Sequence, residues 1–147
     1  MNKPTKYLLL AAKGVAVGLM LQTLYFKFQA AAESVYIFTK VGIEPWGRIG
    51  TGVIELIASA LILIPRASWI GAGLGLGVMA GAILTHLTLL GIEVRGDGGQ
   101  LFFYAIAVAA SCLTILYITR WPWISVLIGL LGGRFAPRKP SSWSDIR

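Results

Sequence analysis

Apolar residues run through this chain in four long blocks, separated by short stretches that are polar, glycine-rich or marked by proline. The blocks are Tyr7 to Phe28, Gly47 to Ile64 closed by Pro65, Ala67 to Gly91, and Gly99 to Thr119 with Pro122 beyond it. Each holds roughly 18 to 25 residues, which matches the ~20 that a helix needs to cross a bilayer. Isolated strands offer no alternative, because they cannot satisfy their backbone in lipid. The pattern predicts an all-α membrane protein, a four-helix transmembrane bundle.

A fifth apolar piece, Trp123 to Gly133, is too short to span and lies between Arg120 and Arg134. It predicts a short C-terminal interfacial helix. The division expected is a transmembrane bundle over residues 1–122, then an interfacial segment and basic tail over 123–147. Pro65 and Arg66 predict a tight turn, and "IEVRGDGGQ" a glycine-rich loop. The stretch from Gln29 to Trp46 is long enough for a short interfacial helix or cap.

Composition agrees with this reading. Of 147 residues, 56% are hydrophobic and only 13% charged, and the mean hydropathy is +0.76. A soluble domain of this length needs more polar surface. The first block is too long for a signal-peptide core and no small-residue cleavage site follows it, so a retained span is expected.

The net charge of +7 sits at the edges of the apolar blocks. That placement fits the positive-inside rule and a lipid bilayer as partner, with no role in nucleic-acid binding. Four spans put the N-terminus, the Pro65–Arg66 turn and the C-terminal tail on one side. That side carries Lys3, Lys6, Arg66, Arg120, Arg134, Arg138, Lys139 and Arg147 against Asp145. The other carries Lys27, Lys40, Arg48 and Arg95 against Glu33, Glu44, Glu93 and Asp97. Both termini are therefore expected in the cytoplasm, with Lys13 snorkelling to the same side.

Glycines punctuate the third block. Gly71, Gly75, Met79, Ala82 and His86 share one helical face, and Gly73, Gly77 and Gly81 another. Small residues four apart let helices approach closely, so this span is expected to meet neighbours on two sides. Gly14 and Gly18, continuing to Gln22, repeat the pattern in the first span. Cys112 lies inside the fourth block and reads as a small packing residue.

Polar residues inside the spans converge. Arg48, Thr51, Gly52, Glu55 and Ser59 form one stripe on the second span, and Gln100, Tyr104, Ala107, Ser111 and Thr114 one on the fourth. At the helical rise, Glu55 lies roughly 10 Å in from Arg48, and His86 and Tyr104 each roughly 8 Å in from their span ends. Lys27, Arg48, Glu55, His86, Gln100 and Tyr104 therefore share the outer half of the bundle and are expected to form a buried polar pocket. Lys27 and Arg48 are both placed to anchor at the headgroups or to act as counter-ion to Glu55. His86 and Tyr104 are the expected hydrogen-bond partners. An acid at this depth pairs, protonates or works.

Metal chemistry is not indicated. One histidine, one cysteine and no paired ligand motif leave too few donors. No nucleophile–base–orienter set is readable either, so the chain is not expected to be an enzyme on its own.

The motifs "LYFKF", "RIGTGVIELIASALILIP", "MAGAILTHLTLLG" and "DGGQLFFYAIAVAASCLTILYI" resemble the DoxX-like integral membrane proteins over about residues 7 to 119. The family's lysine at the end of span 1 corresponds to Lys27. Its glutamate in span 2 corresponds to Glu55, its late histidine in span 3 to His86, and its Gly- and Asp-rich loop to Asp97–Gly99. In place of the family's usual small residue before the lysine, this chain has "TLYFK". The resemblance implies a four-helix bundle in the bacterial inner membrane. It further implies a small subunit or partner of a redox system, quinone-linked or active in oxidative stress. Quinone is the cofactor it leaves room for, and redox proteins the partners; assembly with further copies of the chain is left open by the sequence. If catalytic, such a chain would be a subunit of a quinone-linked oxidoreductase. The alternative is a non-enzymatic scaffold or assembly factor in which the Glu55 cluster only fixes helix register.

Overall fold

In a computed structural model that describes residues 3–119, the chain forms five α-helices and one π-helical turn. They are α1 (Lys3–Phe28), α2 (Ala32–Val41), α3 (Trp46–Leu63), α4 (Ser68–Thr85), the π turn (His86–Leu90) and α5 (Gln100–Ile118). No strand occurs among the described residues. The segment Trp123 to Gly133 and the basic tail lie outside them.

Among the described residues, four helices are long and apolar enough to cross a bilayer: α1, α3, α4 extended by the π turn, and α5. They pack as a ring in the order α1, α3, α4, α5, with α5 closing on α1. The chain is thus a multi-pass membrane protein built as a four-helix bundle. Leu8, Leu10, Leu21, Leu84, Leu113 and Tyr117 are exposed on its outside. In water they would form aggregation-prone patches, whereas here they meet lipid.

The span ends follow local chemistry. α3 stops before Pro65, whose ring cannot continue a helix. Two carbonyls at that end, of Ile62 and Ile64, each lie 2.9 Å from the Ser68 hydroxyl, which is fully buried. Lys13 reaches the same hydroxyl from α1, at 2.5 Å. This end of the bundle, which also holds the start of α1 and the finish of α5, is termed proximal. The stretch Gln29 to Trp46, expected to hold a short helix or cap, holds α2. It ends at Gly42, whose φ of 85° is the left-handed conformation that favours glycine. The amides of Gly42 and Ile43 there take up the Phe38 carbonyl.

The proximal half is tightly packed. A Cβ on Gly71 would come within 2.5 Å of the Ala58 carbonyl oxygen and 2.7 Å of the Ile62 amide nitrogen, so α3 and α4 touch backbone to backbone. Gly75 faces the Cys112 and Met20 sulfurs of α5 and α1. Ala16, Ala58, Ile62, Ala72, Cys112 and Ile115 are wholly buried around them. α4 does contact neighbours on two sides, but through the Gly71–Gly75–Met79 face alone. Gly73, Gly77 and Gly81 would meet no atom within 4 Å, and nor would Gly14 and Gly18. Spacing marks where a close approach is allowed; which face has a neighbour depends on how the helix is turned.

Candidate functional site: a polar-ended cavity in the distal half

The distal half is hollow. A cavity of about 700 Å³ lies between the C-terminal half of α1, the start of α3, the end of α4 with its π turn, and the start of α5. α2 lies over it, contributing Ser34, Phe38 and Val41. Arg95, in the loop before α5, stacks over the Tyr36 ring of α2 at 5.7 Å and so ties this cover to the bundle.

The Arg48, Gly52, Glu55 and Ser59 stripe is buried because it forms the inner face of α3. Gly52 leaves room for Leu24 and Phe28 of α1, which brings the end of α1 against α3. Lys27 then meets Glu55, its Nζ 2.5 Å from Oε1. Glu55 is only 1% exposed. Its second oxygen, Oε2, is buried without a hydrogen-bond partner, as is the Ser59 hydroxyl. Thr23 stands beside the carboxyl, but its hydroxyl proton goes to the Met20 carbonyl at 3.0 Å.

Lys27, Glu55, His86, Gln100 and Tyr104 all line the cavity. Arg48 does not. Of the two cations at similar depth, only Lys27 serves Glu55. Arg48 binds Glu44 at 2.7 and 2.8 Å and donates to the Lys27 main-chain carbonyl. The reason is local: Glu44, in the connection just ahead of α3, lies against the Arg48 guanidinium and pairs with it.

Nor do His86 and Tyr104 bond to Glu55. The π turn brings the Gly91 carbonyl to 2.8 Å from His86 Nδ1. A carbonyl only accepts, so Nδ1 donates this bond. The imidazole packs against Phe102 at 5.6 Å. Tyr104 accepts a bond from Gln100 Nε2 at 2.7 Å on the exposed side of α5. The buried face of α5 is apolar, formed by Phe102, Ala105, Val108, Cys112 and Ile115, and its polar stripe lies to one side.

Asp97, placed by the sequence only in the loop before the fourth span, also lines the cavity. Asp97 accepts the amides of Val94 (2.8 Å), Gly99 (2.9 Å) and Leu101 (3.1 Å), which fastens the loop and opens α5. Burial works against its ionisation, but these donors and the field of His86 outweigh burial and hold the carboxyl below the usual carboxylate range. The roles of Thr23, on the cavity wall, and of Glu44, outside it, were likewise unforeseen. Among the described residues, no three His, Cys, Asp or Glu side chains come together as a metal site.

Fold and cavity define a small polytopic membrane protein with a buried ion pair at the edge of an apolar chamber. No protein-family model, curated protein or solved structure matches the chain.

Proposed function

We propose that this is a DoxX-like protein of the bacterial inner membrane, a small subunit or partner of a quinone-linked or oxidative-stress redox system. It takes a lipid-soluble, oxygen-bearing ring such as a quinone into the distal cavity. The observation that carries this reading is the free Oε2 of Glu55, buried on the wall of a 700 Å³ space. Small-molecule pockets run from about 300 to 1,000 Å³, mostly apolar with a few fixed polar groups. A buried ion pair that serves structure alone is favourable only when its remaining lone pairs are satisfied. Here one is left open on a residue that lines the cavity.

Leu19, Phe26, Phe38 and Val108 supply apolar wall for a ring and the start of its tail. Lys27 holds the Glu55 carboxylate in place, and Tyr104 offers a hydroxyl proton from the α5 side, its oxygen already accepting from Gln100. A quinone, when bound, supplies two-electron chemistry between ring carbonyls and hydroxyls. Lys3, Lys6 and Arg66 at the proximal end support a cytoplasmic location for that end.

The test is direct. The purified protein in lipid nanodiscs is titrated with a short-tailed benzoquinone and with its reduced form, with intrinsic fluorescence as readout. Saturable binding of at least one is expected, and binding of neither defeats the reading. A scaffold role remains the second reading, favoured by the way the Lys27–Glu55 pair fastens α1 to α3. A Glu55→Gln variant that folds and binds differently excludes it.

A further inference from the structure

The donor and acceptor pattern inside the cavity selects a form of ligand. Paired with Lys27, Glu55 is a carboxylate, which accepts hydrogen bonds and donates none. Its Oε2 therefore asks for a donor. The threonine hydroxyls around the chamber make the same demand. Thr23, Thr51 and Thr85 give their protons to the carbonyls of Met20, Gly47 and Gly81 on their own helices. Only their oxygen lone pairs remain for a guest. A ligand offering nothing but carbonyl oxygens can take protons from Lys27, Arg95 or Tyr104 elsewhere on the wall, but it would bring acceptor to acceptor at Glu55 and leave Oε2 unbonded.

We infer that the cavity prefers the reduced, hydroxyl-bearing form of its ring ligand, with a ring hydroxyl donating to Glu55 Oε2. This rests on the reading of the cavity as a site for an oxygen-bearing ring and specifies which form it holds. Tyr104 is compatible with that form, since a hydroxyl oxygen can also accept the tyrosine proton.

Three probes separate the possibilities: a decyl-substituted benzoquinone, the corresponding hydroquinone kept reduced under anaerobic conditions, and the hydroquinone dimethyl ether. The ether keeps the ring and tail and removes both donors. The hydroquinone is expected to bind the wild-type protein in nanodiscs at least roughly tenfold more tightly than either of the others, the size of effect expected of a hydrogen bond to a charged group. Equal affinities, or tighter binding of quinone or ether, overturn the inference and leave the cavity reading standing. Failure of all three to bind overturns both.

Glu55→Gln gives an independent readout. Its amide oxygen can keep the Lys27 contact while its NH₂ group turns a donor toward the cavity. The order of affinities is then expected to reverse in favour of the quinone. A folded Glu55→Gln protein that keeps the wild-type order overturns the inference. If that variant does not fold, the wild-type comparison of hydroquinone with its ether decides alone.

Discussion

The guanidinium of Arg48 donates to the main-chain carbonyl of Lys27, so two cations at the same end of the bundle are tied together rather than pushed apart. Glu44 balances the first and Glu55 the second. Arg48→Lys removes the fork that serves both Glu44 and the carbonyl, because one ammonium is a single point charge. The expected loss is about 2 kcal/mol, the scale of a hydrogen bond to a charged group. Thermal unfolding in micelles reads it conveniently, since the single cysteine, Cys112, is fully buried and a thiol-reactive dye labels it on opening. A variant that unfolds with the wild type would show that the fork contributes nothing.

Lys27→Met leaves Glu55 buried and unpaired, and about 3 kcal/mol of stability is expected to go with it. The double variant Lys27→Met, Glu55→Leu removes the stranded charge and is expected to recover most of that loss. Comparing chemical unfolding of the two checks this. Equal destabilisation in single and double variants would contradict it.

Two glycines on one helix should respond with opposite sign. Gly71→Ala drives a methyl into the α3 backbone and is expected to destabilise by about 1–3 kcal/mol, as overpacking does. Gly73→Ala enters open space and is expected to be neutral or to stabilise by up to about 1 kcal/mol through helix propensity. Unfolding midpoints of the two variants, measured side by side, give the answer.

Asp97 makes stability depend on pH. Its carboxyl has a lower pKa folded than unfolded, so its contribution is present above the unfolded value, about 4. The contribution is lost as pH falls through the folded value. Asp97→Ala is expected to cost about 1 kcal/mol at neutral pH, as loss of a helix-capping side chain does, and to flatten the acid limb. Unfolding from pH 7 down to pH 2 for both proteins tests it; parallel acid limbs would rule out this role.

Much of this architecture is readable from periodicity. The spans lie within a few residues of the apolar blocks, because a run of lipid-compatible residues ended by proline or glycine has few other solutions. The inward turn of Glu55 was readable too, from the stripe it shares with Gly52 and Ser59. The choice between Lys27 and Arg48 was not, since it depends on how Gly52 lets α1 approach α3 and on Glu44 in the preceding connection. Nor was the His86 partner, because a π turn bonds across five residues and leaves no mark in a pattern of 3.6. The open faces at Gly14 and Gly73 show the same limit: spacing permits contact without requiring it.

The tight approach of Gly75 to Cys112 and Met20 has a consequence for traffic. Below that level Ala12, Ala16, Ala58, Ile62, Ala72 and Ile115 leave the bundle axis without an opening. The distal chamber is a dead end, a cup rather than a conduit. Among the described residues, a guest in that chamber would find no passage onward through the proximal half.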